Sequence, residues 1–247
     1  MKNPLPLIVL CTHHKTGTVW MAGIMRALRR QHKLKLFSGA QAELPADADI
    51  FIQDHSRVDM NALRQRQPLR PVRAIHVIRD PRDVVISGCF YHVKTVEKWA
   101  NRPKPEYGGK CYREAIAAQP TDHDKLVFEM QHTAAKTIRD MLAWNYQDDD
   151  VFEVKYEDLI NDTEYKFFGP MMEFIGFKGE DLPNALEHVR ANSLFGGSKG
   201  ETAAGDHVRS GESRQWPKVF TPELKAEFKR LHPDVLQRLG YEAGNDW

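Results

Sequence analysis

The first structural signal in this chain is the stretch His-His-Lys-Thr-Gly-Thr-Val-Trp at residues 13–20, which follows the apolar residues 5–11. An apolar strand, a glycine-bearing turn and an amphipathic helix in this order favour an anion site, because amides at a helix start attract negative charge. Gly17 permits a close backbone approach, and Lys15 adds an ammonium group. The G-x-x-x-x-G-K-[ST] spacing of ATP- and GTP-binding loops is missing, since the lysine precedes the glycine. The stretch therefore predicts a phosphate site of another kind, with simple helix capping as the alternative.

A second strand-to-helix junction supports this prediction. Residues 73–78 are mostly apolar and are followed by Arg-Asp-Pro-Arg-Asp at residues 79–83 and by another apolar-periodic segment. An aspartate and a proline in this order suit the N-cap and the first position of a helix. Arg79 is then left at the carboxyl end of the strand, and Ser87 lies two turns into the helix, where both could meet the ligand of the first loop. The alternative is an arginine paired with a neighbouring aspartate and a serine bonded within its own helix.

Four segments together resemble the sulfotransferases that use 3′-phosphoadenosine 5′-phosphosulfate (PAPS). Residues 14–20 are similar to the family's 5′-phosphosulfate loop, P-K-S-G-T-T-W. Residues 79–87 are similar to its 3′-phosphate motif, R-[ND]-P-[KR]-D with a serine eight positions after the arginine. Residues 156–159 resemble its Y-E-D-L segment, and residues 209–221 its C-terminal R-K-G-x-x-G-D-W-K-x-x-F-T element. Because the matches keep their order and spacing along nearly the whole chain, it is identified as a member of this family.

The resemblance implies two catalytic residues. His55 follows the strand-like residues 49–53 and lies between the two phosphate motifs, where family members place a histidine base. Lys15 is expected to neutralise charge on the oxygen that leaves toward the 5′-phosphate. Four other histidines are runners-up, of which the first three are interpreted mainly as packing or supporting residues: His13, His14, His76 and His92.

The resemblance also implies the residues that bind the cofactor. The 5′-phosphate would lie on the first loop, the 3′-phosphate on Arg79, Ser87 and Arg209, and the adenine against Trp20, which has a competing role in the core. The full predicted set is Lys15, Thr16, Gly17, Thr18, Val19, Trp20, Arg79, Ser87, Tyr156, Leu194, Arg209, Ser210 and Gly211.

The chain departs from the family pattern in both phosphate-binding regions. Ser210 stands where lysine is usual, and Arg214-Gln215 stand where Gly-Asp precedes the tryptophan. One phosphate contact and one backbone turn are therefore expected to differ, with Arg214 as a candidate to compensate. Val19 replaces a threonine, which removes a hydroxyl contact and costs about 0.5–1.5 kcal/mol.

Composition is that of an intracellular enzyme. A chain of 247 residues with 41% hydrophobic content can bury one substantial core, so a single domain over residues 1–247 is predicted. The formal charge of +1 indicates no general attraction to nucleic acid or to an anionic membrane. Three cysteines, at positions 11, 89 and 111, fit neither a disulfide framework nor a metal site. The longest N-terminal apolar run is too short for a membrane span or a signal sequence, and a cytoplasmic location is expected.

Apolar stretches alternate with helix-like segments along the chain, which predicts a three-layer α/β fold with a central parallel sheet flanked by helices. The resemblance implies the P-loop-like sulfotransferase variant of that fold. The predicted strands are residues 7–11, 49–53, 73–78 and 151–156, with 34–37 as a weaker candidate. Three helices are predicted: one that starts near Trp20, one over residues 124–144 and one over residues 223–239. The predicted loops are residues 94–119 and 196–214.

The predicted activity is transfer of a sulfuryl group from PAPS to an acceptor hydroxyl, with an amine as the second choice and adenosine 3′,5′-bisphosphate (PAP) as the product. No metal is required by this chemistry, and the acceptor is expected to be a small molecule, a lipid or a glycan. Two other classes stay open: a nucleotide kinase of the P-loop type, which would bind Mg²⁺-ATP or Mg²⁺-GTP, and a noncatalytic nucleotide-binding module, which would have no use for His55.

Overall fold

The computed structural model describes residues 5–53, 57–192 and 213–247. They form two compact units: the first takes its residues from Met1–Arg79 and Ala143–Gly211, and the second from Asp80–Leu142 and Glu212–Trp247. A single domain over the whole chain stays a prediction.

The first unit contains one parallel sheet. Its strands are β1 (Leu7–Thr12), β2 (Leu36–Ser38), β3 (Ile50–Gln53), β4 (Val72–Ile78) and β5 (Val151–Lys155). In space they follow the order β2-β3-β1-β4-β5, with every neighbouring pair parallel. All the predicted strands are confirmed, with ends shifted by one or two residues, since buried parallel strands stand out as apolar runs.

Helices cover most of the remaining described chain. The first unit contains a long helix after β1 and four shorter ones, and the second unit is helical. In chain order they are α1 (Thr18–His32), α2 (Met60–Arg66), α3 (Pro81–His92), α4 (Tyr112–Ala117), α5 (Asp122–Gln131), α6 (Thr133–Leu142), α7 (Tyr156–Leu159), α8 (Phe168–Phe174), α9 (Asp181–Asn192), α10 (Trp216–Val219), α11 (Pro222–Leu231) and α12 (Val235–Arg238).

Both faces of the sheet are covered by helices. Successive side chains of a strand point to opposite faces, so β1 contributes to two cores. Ile8 and Leu10 belong to a cluster with residues of α1, α8 and α9. Leu7 and Val9 belong to a cluster with residues of α2. This helix–sheet–helix arrangement confirms the predicted α/β class and brings the carboxyl ends of β1 and β4 side by side.

The prediction of one continuous helix over residues 124–144 is wrong. The segment consists of α5 and α6, which are separated by His132 with φ −117° and ψ −99°. The His132 ring stacks on Phe128 at a centroid distance of 4.1 Å, and its Nδ1 lies 2.8 Å from the Phe128 carbonyl oxygen. A side chain bonded to the preceding turn thus accompanies the break in the helix.

The predicted helix over residues 223–239 is likewise divided, because α11 ends at Leu231 and α12 starts at Val235. Pro233 explains the break: a proline disfavours the helical conformation of the residue before it, and His232 has φ −131° and ψ 65°.

The predicted loop over residues 94–119 contains a helix that the sequence reading missed. Its start is stabilised by a capping box, in which the Cys111 N–H donates to Glu114 Oε2 at 2.9 Å. Of the predicted loop 196–214, only the last two residues lie in the described part of the chain.

Candidate functional site

The turn between β1 and α1 is held by hydrogen bonds within the loop. The Thr16 hydroxyl donates to the His13 carbonyl oxygen at 3.0 Å and accepts from the His13 N–H at 2.9 Å. The Thr18 hydroxyl donates to the same carbonyl at 3.1 Å. The main-chain N–H of Thr16 also donates there, at 3.1 Å. Thr16, which is fully buried, therefore shapes the loop from inside.

Two residues of this turn have left-handed backbone conformations. Gly17, the N-cap of α1, has φ 96°, and Lys15 has φ 66°. A Cβ at position 17 would lie 3.0 Å from a ring carbon of Tyr156, so glycine serves both the conformation and the close packing. The first turn of α1 contains no acidic side chain. Its amides have no acceptor inside the helix, which is the arrangement that binds anions.

Arg79 lies against this turn, as the sequence predicts. It follows β4, is only 6% exposed, and donates from Nη1 to the main-chain oxygen of Lys15 at 3.1 Å. Its guanidinium also lies over the Tyr156 ring, 4.4 Å from the centroid. The structure thus brings together Lys15, Gly17, Arg79 and Tyr156, four of the predicted site residues, from three segments of the chain.

Trp20 occupies a core position beside this group. Its indole is 7% exposed and makes edge contacts with Tyr156 and Phe168, each at 5.9 Å between centroids. Its buried Nε1 has no hydrogen-bond partner among the described residues. Val19, in contrast, is exposed. A buried donor of this kind is uncommon in proteins and fits a position next to a polar ligand.

In the second unit, α3 begins as the sequence predicts. Asp80 is the N-cap and accepts from the Arg82 N–H at 2.9 Å, and Pro81 takes the first helical position. Ser87 lies half-buried on the same helix. The carboxylate of Asp83 accepts the main-chain N–H groups of Gln215 and Trp216, each at 3.0 Å. The 3′-phosphate motif therefore holds the start of the C-terminal element through α3.

Arg82 lies at the centre of a buried cluster of charged and aromatic side chains that was not predicted from the sequence. Its side chain is 2% exposed, binds the Asp80 carboxylate through Nε and Nη2, and lies 2.7 Å from Glu242 Oε1 through Nη1. The guanidinium lies 3.6 Å from the ring centroid of Trp216 and 4.6 Å from that of Trp247. An arginine two positions after an N-cap aspartate is the only local sign of this cluster.

Arg214, which stands where the family pattern has glycine, forms a left-handed turn before Trp216. Arg214 has φ 57°, the left-handed conformation that the glycine of the family pattern would adopt without strain. The turn is thus kept by an exposed, non-glycine residue.

His92, the runner-up base, lies in a closed cluster of the second unit. It is fully buried, and its Nδ1 lies 2.8 Å from Glu129 Oε2. The Tyr112 hydroxyl donates to the same carboxylate oxygen at 2.8 Å. Burial and this carboxylate raise the pKa of Tyr112 far above its usual range. Such a cluster ties α3, α4 and α5 together and gives His92 a structural role.

Several predicted residues lie outside the described residues. They are the proposed base and the predicted contacts of the C-terminal region: His55, Leu194, Arg209, Ser210 and Gly211. In the described part of the chain, no three His, Cys, Asp or Glu side chains are grouped as metal ligands. Within the same residues, no helix has both the length and the apolar character needed to cross a membrane.

Comparison with known proteins agrees with the fold. Mouse sulfotransferase SULT7A1 complexed with PAP is 16% identical over 96% of this chain and 87% of its own, with a TM-score of 0.62. Retinol dehydratase in complex with androsterone and inactive cofactor PAP is 15% identical over 96% of this chain and 82% of its own, with a TM-score of 0.56. Among curated protein sequences, none matches significantly. The sulfotransferase domain model matches residues 5–240, and the chain therefore belongs to the sulfotransferase domain family.

Proposed function

We propose that the protein transfers a sulfuryl group from PAPS to an acceptor hydroxyl, with an amine as the second choice. The observation that carries this proposal is the contact between Arg79 Nη1 and the Lys15 main-chain oxygen, because it brings the guanidinium of the second motif against the loop of the first motif, at the N-terminus of α1. Family membership supports the reaction class, and the PAP bound to two related folds supports the donor.

The described residues suit a bisphosphorylated nucleotide. Because the Thr16 amide bonds within the loop, we assign the 5′-phosphate to the amides of Gly17, Thr18 and Val19 and to the Lys15 ammonium. Arg79 is assigned to the 3′-phosphate, since its guanidinium lies against the loop and its planar fork matches the oxygens of a phosphate. The remaining predicted contacts, including Ser87 and Arg209, stay predictions.

The chemistry assigned to the chain is positioning and charge stabilisation. When bound, PAPS supplies the sulfuryl group and an oxygen leaving group on its 5′-phosphate. Lys15 is assigned to stabilise negative charge on that oxygen, and the α1 N-terminus adds to the same field. His55 is assigned to take the proton of the acceptor hydroxyl at a ring nitrogen, which requires a neutral imidazole. His92 is a poor alternative because it is buried against Glu129.

The direct test is transfer of labelled sulfate from PAPS to a panel of phenols, aliphatic alcohols, steroids, glycans and amines, followed by mass spectrometry. Steroids are included because androsterone is bound in the related retinol dehydratase. Absence of transfer to every acceptor, together with stabilisation by ATP or GTP and not by PAP, would favour a kinase. Stabilisation by PAP without transfer would favour a noncatalytic module. A ligand at a hundred times its Kd raises the free energy of unfolding by about 2.7 kcal/mol, which a thermal shift detects.

Lys15→Met tests the role of the loop lysine. Because its charge matters most as the leaving oxygen becomes negative, we expect turnover to fall about 10²–10³-fold while PAP affinity changes much less. Lys33→Met is the matched control, since Lys33 is an exposed lysine that also has a left-handed backbone but lies at the opposite end of α1. Normal turnover of the Lys15 variant would assign the loop to binding alone.

A further inference from the structure

Three polar side chains form a continuous line across the sheet of the first unit. His13 follows β1, His76 lies within β4 and Glu153 lies within β5. His13 Nε2 lies 2.8 Å from His76 Nε2, and His76 Nδ1 lies 3.3 Å from Glu153 Oε2. The register pairs His76 with Glu153 and with Cys11, two residues before His13, so all three side chains belong to the same face of the sheet.

The middle of this line, His76, and its outer end, Glu153, differ in exposure. His76 is completely buried, and its ring stacks on Trp144 at 4.2 Å with Tyr146 at its edge at 5.8 Å. Burial lowers the pKa of His76 to about 3, so this imidazole is neutral at physiological pH. The Glu153 side chain is 34% exposed, and burial raises its pKa to about 7.

Three other polar or charged side chains lie beside the line. Lys155, on the same strand as Glu153, is a cation that lowers the pKa of Glu153. Cys11, the register neighbour of His76, has a pKa raised by complete burial, and its thiol stays protonated. Tyr146 contributes a phenol at the edge of His76. Because Glu153 is the exposed member of the line and its pKa is about 7, it is the group through which a proton enters or leaves the line near neutral pH.

The two contacts allow one arrangement of protons for each charge state of Glu153. When Glu153 is ionised, His76 donates from Nδ1 to the carboxylate and accepts at Nε2 from the Nε2–H of His13. When Glu153 carries a proton, its O–H donates to His76 Nδ1, the Nε2–H of His76 donates to His13, and the single proton of the His13 ring moves to Nδ1. The second state holds one proton more than the first, taken from solvent. In both arrangements each ring holds one proton, and only the tautomer changes.

We propose that His76 and Glu153 are positioning residues that set the tautomer of His13 and thereby couple the protonation of Glu153 to the phosphate loop. The coupling reaches the loop because His13 is part of it: its carbonyl oxygen accepts the hydroxyls of Thr16 and Thr18, and its N–H donates to Thr16. A ring that exchanges donor for acceptor beside these bonds changes the environment of the loop amides. The role of these amides in binding PAPS rests on the proposed function, but the coupling does not.

The first experiment uses the protein without ligand. Nitrogen-15 NMR of labelled histidine side chains assigns the tautomers of His13 and His76 between pH 5.5 and 8.5, a range placed about the pKa of Glu153. We expect both rings to exchange tautomer together with a midpoint near the Glu153 pKa, and the amide signals of Thr16, Gly17 and Thr18 to shift with the same midpoint. Tautomers that stay constant over this range would overturn the inference.

Variants distinguish a titration that passes through these three side chains from other effects of pH on the loop. Glu153→Gln should abolish the shared midpoint in the rings and in the loop amides. His76→Phe keeps an aromatic ring against Trp144 but removes both nitrogens, so the loop amides should no longer follow Glu153; His76→Gln serves if the phenylalanine variant fails to fold. Glu173→Gln, which removes an exposed carboxylate on α8, should leave the titration unchanged. A loop titration that persists in Glu153→Gln would overturn the inference.

A second experiment measures the consequence for binding. Since loss of the Glu153 charge removes repulsion from an anion, PAP should raise the Glu153 pKa, and the ratio of wild-type to Glu153→Gln Kd should rise about two- to fivefold between pH 6 and 8. Comparing the two proteins at each pH cancels the titration of PAP itself. Failure of PAP to bind either protein, with the ligand-free titration intact, would count against the proposed function and leave the inference supported. A constant Kd ratio with normal PAP binding would overturn the coupling.

Discussion

Arg82→Met removes the cation at the centre of the second unit without removing its bulk. The wild-type guanidinium is bound by Asp80, approaches Glu242 at 2.7 Å and lies 3.6 Å from the Trp216 ring centroid. Methionine is long enough to occupy much of the space between the tryptophans. The principal effect is therefore on the carboxylates, and above all on Asp80, whose side chain is only 5% exposed.

The expected loss of stability depends on the charged partner that stays buried after Arg82 is replaced. Removing one member of a buried ion pair costs about 3–5 kcal/mol, because the other charge stays buried and loses its counter-charge. The lost cation–π contact is part of this total, since the same group makes both interactions; alone it is worth about 0.5–2 kcal/mol. For a chain of this size each kcal/mol lowers Tm by about 2–4 °C, so the variant should melt roughly 6–20 °C below wild type.

Urea unfolding followed by tryptophan fluorescence measures this loss, because Trp216 and Trp247 flank the substituted side chain. Arg82→Lys is the graded control: it keeps a charge but not the planar fork, and we expect a smaller loss. In the double variant Arg82→Met/Asp80→Asn, part of the stability should return, because the buried carboxylate is gone. A loss below about 1 kcal/mol for Arg82→Met, or strict additivity in the double variant, would refute the reasoning.

Three further predictions concern the site and its support. Arg79→Lys should weaken PAP binding by about tenfold or more with little effect on adenosine 5′-monophosphate, since a planar fork is lost; calorimetry with both ligands measures this, and equal PAP affinity would remove Arg79 from the site. His55→Ala should lower turnover roughly 10²–10⁴-fold for aliphatic alcohols and less for nitrophenols, which ionise by themselves; unchanged alcohol turnover with chemistry rate-limiting would exclude it as the base. Gly88→Ala should destabilise the protein by about 1–3 kcal/mol, because the new Cβ would lie 2.5 Å from Glu129 Oε1. Gly23→Ala, with no neighbour within 4 Å of the new Cβ, should instead stabilise it by about 0.5–1 kcal/mol in urea unfolding, and similar effects at both positions would contradict the packing argument.

The strands and both strand-to-helix junctions were predictable because their signals are local. Buried parallel strands are apolar runs, and the N-cap aspartate and proline before α3 act within a single turn. The errors arose where one residue interrupts a periodic pattern. His132 and Pro233 lie inside otherwise helical periodicity, and Pro233 in particular is a local signal that should have ended the helix.

The approach of Arg79 to the first loop was predictable because strand ends in a parallel sheet meet at one edge. Arg79 reaches Lys15 from β4 for that reason. The line from His13 to Glu153 was not predicted, since it depends on the register between strands far apart in sequence. A partial signal exists: His13 shares its strand parity with Cys11, as His76 does with Val72 and Ala74. The parity of a residue in its strand predicts the face of the sheet on which its side chain lies. Which residues of neighbouring strands lie next to each other depends on the register, which these sequence patterns do not give.

The contact between the two ring nitrogens of His13 and His76 also constrains how this chain can evolve. Replacement of either histidine alone leaves the other ring nitrogen buried without its bond, at a cost of about 1–3 kcal/mol. Exchange of both for apolar side chains of similar size should cost less, because no buried ring nitrogen is left unpaired and Glu153, which is 34% exposed, can bind water instead of His76. Each single variant is therefore expected to be less stable than either the protein with both histidines or the protein with neither. Although 63 positions separate them, the two residues should be inherited as one unit, and lineages related to this chain should carry both histidines or neither.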